Sequence, residues 1–309
     1  MFGVKGGSQL TPSLKGIYKV ESGFNTTTGE FNGGKGAIFN RRAYVGLRND
    51  TYGTIMFSKD LFIDNDVRNF DPMVQENMST ATLVYGRNWD CASDMVEYRS
   101  PNWKGLQIGL KASFNNGDSA ATTNISNAYG VSGEYDIGNL SLYGIYDEMK
   151  DKNRNYTNLY SVSKEAIFGA RYNFKPVKLY AGYEILNAQQ GSKTDGGTAT
   201  TNPDASYNPY TPVYATHAYM SWLGAVWTVS PKVTVRGAWF HTGLNDSAGH
   251  ASLFTAGMEY YLSPNLFLYA TGGEVVNSGK ADFSADIYAP PPAPGQNQFA
   301  GYFGASISF

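Results

Sequence analysis

The chain is poor in cysteine, in charge and in long apolar runs. Cys91 is the one cysteine among 309 residues. No disulfide can form within the chain, and no cysteine-based metal cluster exists. Charged residues make up 16%, against roughly a quarter in ordinary soluble domains. The net charge of −2 gives nucleic acid no electrostatic foothold. No run of about eighteen apolar residues occurs, which excludes helical membrane spans. The opening Met1-Phe2-Gly3-Val4-Lys5-Gly6 has no charged region followed by an apolar stretch, so it does not read as a secretory signal. For an exported protein that leads to the expectation of a mature or shortened chain. Catalytic material is scarce as well. There are three histidines, His217, His241 and His250, each near a strand end beside a long loop, and no Gly-x-Ser-x-Gly elbow. Nothing arranges a nucleophile, a base and an orienting group, and no paired spacing suggests a metal site. The expectation is no enzyme, no cofactor and no metal.

What is abundant is aromatic residues, at 15%, and glycine, at 35 residues. The last stretch shows how they are used. Phe299, Gly301, Phe303, Ala305, Ile307 and Phe309 alternate with Tyr302, Gly304, Ser306 and Ser308. Period-two alternation is a strand, and one this long is what crosses a bilayer at a tilt. Such a strand at the end of a soluble chain would leave an aggregation-prone edge, which a closed barrel removes. A barrel also reconciles many aromatics with mild hydrophilicity: alternate residues meet lipid, the lumen is polar, and Tyr and Phe form interfacial girdles.

The same alternation recurs along the chain. Residues 1–7 read as a strand tail and 8–13 as a turn. Leu14 to Phe24, Phe39 to Arg48 and Gly53 to about Lys59 read as strands. Leu106, Ile108, Leu110, Ala112 and Phe114 form the cleanest amphipathic strand. Others cover about 129–137, 140–147, 165–173, 177–185, 216–229, 232–241, 251–262 and 265–275. Connections alternate between short turns carrying Pro, Asn, Asp or Gly and long polar loops. The loops are 25–38, 115–127, 148–162, 187–215 and 276–297, the last containing Pro290-Pro291-Pro292. Short turns on one side and long loops on the other suit an outer-membrane barrel. About fifteen strands are expected, an odd number. The simplest account is that one further strand preceded Met1; a genuinely odd barrel or a miscount are the rivals. Asp60 to Asp90 has no alternation, and structureless stretches of this length in a compact domain are usually functional. The Asn-x-Thr/Ser triplets at 25–27, 124–126 and 155–157 are the chance product of Asn- and Thr-rich loops.

These stretches resemble a known family, the trimeric general porins of Gram-negative outer membranes, of the type common in β-proteobacteria. The matching segments are Phe2-Gly3-Val4-Lys5-Gly6, Leu14 to Asn25, Arg42-Ala43-Tyr44-Val45-Gly46-Leu47, Val96 to Leu106 and the terminal Phe309. The N-terminal third is the specific part. The resemblance implies an all-β, transmembrane antiparallel barrel of the sixteen-stranded type, one domain over residues 1–309, with a third long loop, about 60–92, folded into the lumen as a constriction. It implies passive passage of small hydrophilic solutes and ions. It further implies a homotrimer in contact with outer-membrane lipid and lipopolysaccharide. In the family the stretch like residues 2–6 belongs to the second strand.

Charges in such a constriction select ions and orient dipolar solutes. By parity the wall offers Lys15, Lys19, Arg42, Arg48, Arg99, Lys111 and Arg171, and the loop offers Asp60, Asp64, Asp66, Asp71 and Glu76. Arg42, just before the Ala-Tyr-Val-Gly-Leu motif, is the leading candidate. Lys59 stands where the family tends to carry an arginine, but its own strand parity points it outward. Glu21, Glu97, Glu134, Asp136, Glu184 and Glu259 also face inward, so ion selectivity stays open. Two other readings remain: a solute-specific porin, which needs aromatic or paired-charge tracks in the lumen, and a soluble lectin-like or adhesive β-protein, in which Leu106, Ile108, Leu110, Phe168, Ala170, Leu179 and Ala181 would meet a second sheet instead of lipid.

Overall fold

Alternating small, β-branched and aromatic residues, punctuated by turn formers, fold here into one antiparallel meander. The computed structural model describes residues 1–25, 28–31, 38–89, 91–114, 127–193 and 214–308. Its fifteen strands follow chain order in a single sheet. They are β1 (Phe2–Thr11), β2 (Leu14–Ser22), β3 (Arg42–Asn49), β4 (Gly53–Leu61), β5 (Cys91–Arg99), β6 (Leu106–Ser113), β7 (Asn127–Ile137) and β8 (Leu140–Lys150), then β9 (Lys164–Phe174), β10 (Val177–Lys193), β11 (Tyr214–Ser230), β12 (Val233–Leu244), β13 (His250–Ser263), β14 (Leu266–Ser278) and β15 (Gln298–Ile307). β1 and β15 are the two edges, each with one hydrogen-bonded neighbour among the described residues. Phe309, Asp90, the triplet 124–126 and much of the 187–215 loop lie outside the described residues.

Two of the boundaries that differ from the sequence reading stand out. The first turn is confined to Pro12 and Ser13, because Ser8 and Gln9 stay paired with Gly16 and Lys15. β10 runs on to Lys193 and pairs with a longer β11. Alternation fades beyond Leu186, although backbone pairing continues there.

One face of the sheet is an apolar band. Val45, Phe57, Leu110, Phe168, Leu223 and Phe303 are all exposed, Phe303 at 89%. No second sheet covers them among the described residues. A soluble sandwich would bury such a band; a lipid-facing barrel wall requires it. The lectin-like reading fails on this point.

The core lies on the other face. Segment 62–89, between β4 and β5, includes three 3-10 turns, Ile63–Asn69, Thr82–Val84 and Arg87–Trp89. Phe62, Ile63, Val67, Phe70, Met73, Met78 and Leu83 are fully buried. They pack with Met95, Ile145, Ile167, Trp222, Phe240 and Leu253 from the strands. Strands as distant in the sheet as β7 and β14 touch this one segment, so the sheet must curl around it. Two wall glycines mark its path. A Cβ on Gly130 in β7 would collide with Ile63 Cγ2, and one on Gly224 in β11 would collide with Pro72 Cγ. Only a residue without a side chain permits that approach.

Candidate functional site

The inward segment is held to the wall by buried polar groups. Asp147 of β8 stands directly opposite Glu165 of β9, an unfavourable facing of like charges unless a cation intervenes. Arg87 intervenes. It donates from Nη1 to Asp64 Oδ2 at 2.8 Å and to Glu165 Oε2 at 3.4 Å, from Nη2 to Asp147, and from Nε to Ser163 Oγ at 3.0 Å. All four charged side chains are fully buried. One oxygen from each of Asp64, Asp147 and Glu165 lies within 4.8 Å of the others. That spacing would suit a metal ion, but the guanidinium supplies the charge here. Beside it, Trp222 Nε1 donates to the Phe70 carbonyl at 3.0 Å, and Phe70 stacks on Tyr143 with ring centroids 4.3 Å apart.

Asp71 holds the next turn. Its carboxylate accepts from the backbone N–H of Met73 (2.7 Å), Gln75 (3.1 Å) and Thr80 (3.1 Å), and from the Thr80 hydroxyl (2.8 Å). Burial pushes its titration above the ordinary carboxylate range despite these bonds. Asp64 and Asp71, both candidates for the constriction by sequence, are therefore spent on shaping the segment and do not face the channel.

Arg42, Arg99, Lys19 and Asp66 sit where solvent reaches, whereas Lys111 is buried. Arg42 Nε meets Asp60 Oδ1 at 2.9 Å, joining β3 to the end of β4, just before the inward segment. Arg99 lies 2.5 Å from Asp66 and 2.8 Å from Glu97. Lys111 pairs with Glu97 at 3.2 Å and donates to the Leu61 carbonyl at 2.7 Å. Lys19 pairs with Glu21 at 2.6 Å. It stands in register with Lys5, while Lys15 is in register with Arg48. Lys5 and Lys15 have no ion-pair partner among the described residues. The face of β1–β3 on the segment's side thus presents a basic ladder: Lys5, Lys15, Lys19, Arg42 and Arg48. Glu76, at the far side of the segment, is pushed upward in its titration by burial, against the pull of Arg68 and Arg236.

Lys59 requires a correction. It is in register with Ala43, on the apolar face that carries Val45 and Phe57. The neighbours Ser58 and Asp60 take the inward positions, and the irregular pairing between Ser58 and Asp60 does not turn Lys59 round. Its strand parity, and not the family position, describes it.

Sequence reasoning missed Arg87, Asp147, Glu165 and the Arg236–Glu259 pair across β12 and β13. Arg87 lies where no periodicity guides the eye. Asp147 and Glu165 carried a signal, since parity faces both inward on strands joined by one loop.

Known proteins share this architecture. A family model described as Gram-negative porin matches residues 2–280. An outer membrane porin protein of Bordetella pertussis is 25% identical over 298 residues, covering 89% of this chain and 76% of that protein. Among solved structures, an anion-selective porin from Comamonas acidovorans superposes with a TM-score of 0.78 at 20% identity, over 99% of this chain and 88% of that one. The trimer form of OmpT from Vibrio cholerae superposes with a TM-score of 0.68 at 13% identity, over 99% of this chain and 90% of that one.

Proposed function

This chain belongs to the Gram-negative porins, outer-membrane β-barrels through which solutes pass passively, and from that premise we propose that it is a general diffusion porin favouring small hydrophilic anions. The observation that carries the preference is the basic ladder on β1–β3. Most inward acids have a partner already: Asp60 holds Arg42, Asp66 and Glu97 hold Arg99, and Glu21 holds Lys19. Lys5 and Lys15 have none among the described residues, and Arg48 has only the exposed Asp50 at 4.0 Å. Fixed charge of one sign along a narrow aqueous path concentrates the opposite ion. The Comamonas acidovorans porin is described as anion-selective, which agrees with this reading.

Arg42, Lys15, Lys19 and Arg99 act on the wall side of the constriction, and Asp66 and Glu76 act on the segment side. The protein assembles as a homotrimer, as the Vibrio cholerae OmpT trimer does, with its apolar band against lipid and lipopolysaccharide. No chemical step and no cofactor are involved. The test is reconstitution. Planar bilayers should show conductance steps in groups of three, and liposomes should swell at rates that fall smoothly with solute size. Exclusion of one small hydrophilic solute while others of equal size pass would contradict general diffusion.

A further inference from the structure

At the opposite end of the sheet from the basic ladder, the wall of β13–β15 carries a row of aromatic rings. Tyr261 and Phe267 lie 5.3 Å apart between centroids, Phe267 and Tyr269 6.1 Å, and Tyr269 and Tyr302 6.2 Å. All four point inward. Tyr261 pairs with Phe267 and Tyr269 with Glu259, Tyr302 pairs with Thr271, and the intervening Tyr260, Leu268 and Phe303 belong to the exposed apolar band. The row begins beside the short turn between β13 and β14 and climbs toward the inward segment. There it borders a cavity of about 260 Å³ lined by Met73 and Glu76 of the segment and by Arg236, Glu259, Tyr269 and Tyr302 of the wall.

The cavity edge is polar, with one arginine and two carboxylates. Arg236 is paired with Glu259, and the Tyr261 hydroxyl donates to Glu259 at 2.8 Å. Glu76 has no ion-pair partner among the described residues. Flat aromatic faces bind flat apolar surfaces. A purely apolar ring entering here would strip water from Arg236, Glu259 and Glu76 without replacing its hydrogen bonds, which is costly. A free anion would meet two carboxylates. The solute that satisfies both the rings and their edge is a neutral ring with C–H faces and a rim of hydroxyls.

We propose that Tyr261, Phe267, Tyr269 and Tyr302, with Arg236, Glu259 and Glu76, form a stacking track for monosaccharide-sized neutral sugars. The cavity lies near the lower limit of small-ligand sites, so it takes one ring at a time. Binding is weak, because a site inside a channel must release what it admits. The proposal rests on the channel reading above and adds a solute class that the basic ladder does not serve.

The experiment is single-channel recording in symmetric KCl with glucose added, compared with sorbitol, an open-chain polyol of nearly the same size and hydroxyl content. Glucose should lower the conductance further than sorbitol and add current noise that saturates with concentration. Tyr269→Leu keeps an apolar side chain and removes the aromatic face. It should weaken the glucose effect about tenfold, the loss of a good stacking contact, with KCl conductance unchanged. Tyr269→Phe should retain the effect. Equal responses to glucose and sorbitol, or a Tyr269→Leu channel that responds as the parent does, would overturn the track while leaving the channel intact. Absence of any KCl conductance would instead remove the channel reading and the track with it.

Discussion

Arg87 and Arg42 stand on opposite sides of the same lumen and serve different ends. Arg87 is sealed among Asp64, Asp147 and Glu165 with no solvent access. Arg42 reaches Asp60 across a partly wet gap, with its side chain 32% exposed. The first is a fastener: remove it and three carboxylates are stranded in a dry interior. The second, in the proposed reading, is part of the channel's field: remove it and water replaces it. The difference is set by what lies over each strand. The segment 62–89 packs down on β8 and β9 and turns the charges of Asp147 and Glu165 into structure, while those of β1–β3 stay open to solvent and, in the proposed reading, act on ions.

The sharpest way to break this contrast is Arg87→Met. Breaking a buried pair by removing one partner costs about 3–5 kcal/mol, here with several acids left behind. Thermal unfolding in detergent should move down strongly, and the channels should become noisy as the segment loosens. Arg42→Met, the matched change on the bare wall, should alter stability by no more than about 1 kcal/mol. If both variants melt alike, the contrast is false.

A smaller effect is expected from Trp222→Phe. It keeps an aromatic ring under the segment and leaves the Phe70 carbonyl without its donor, at a cost of about 1–3 kcal/mol. The loss should appear in the melting transition before it appears in ion preference. On the other side, the double change of Lys5→Gln and Lys15→Gln should leave stability within about 0.5 kcal/mol and reduce anion preference, read as a lower reversal potential in a KCl gradient.

The smallest effect concerns pH. Burial raises the Glu76 titration above its ordinary value near 4.5. As pH falls, Glu76 therefore gains its proton in a range above that value. Its negative charge then disappears, so anion preference should rise modestly on acidification. Because the folded protein binds this proton more tightly than the unfolded chain does, the same step adds stability as pH falls. Glu76→Gln should abolish the selectivity change; an identical pH response in that variant would assign it to another group.

The sheet was legible in the sequence because lipid on one side and water on the other impose period two, residue by residue, from Leu14 to Ile307. The single sheet with its lipid-facing side follows from that pattern alone. The inward segment was legible only as an interruption. Within it no period distinguishes Asp66, which meets Arg99 where solvent reaches, from Asp64, which is buried against Arg87 two residues away. That distinction depends on which wall strand lies beneath, and the nearest sequence signals were Gly130 and Gly224, wall glycines with no turn to explain them. Lys59 shows the converse. A family position suggested the lumen, while its own strand parity gave the outward face that the register displays.

The most direct test is the reversal potential of the reconstituted channel across a tenfold KCl gradient at neutral pH. The basic ladder on β1–β3 predicts a potential of the sign set by chloride, and a smaller one when Lys5 and Lys15 are both neutralised. A potential of the sign set by potassium would mean that the acids on the segment side govern the channel, and that the bare wall does not set its field.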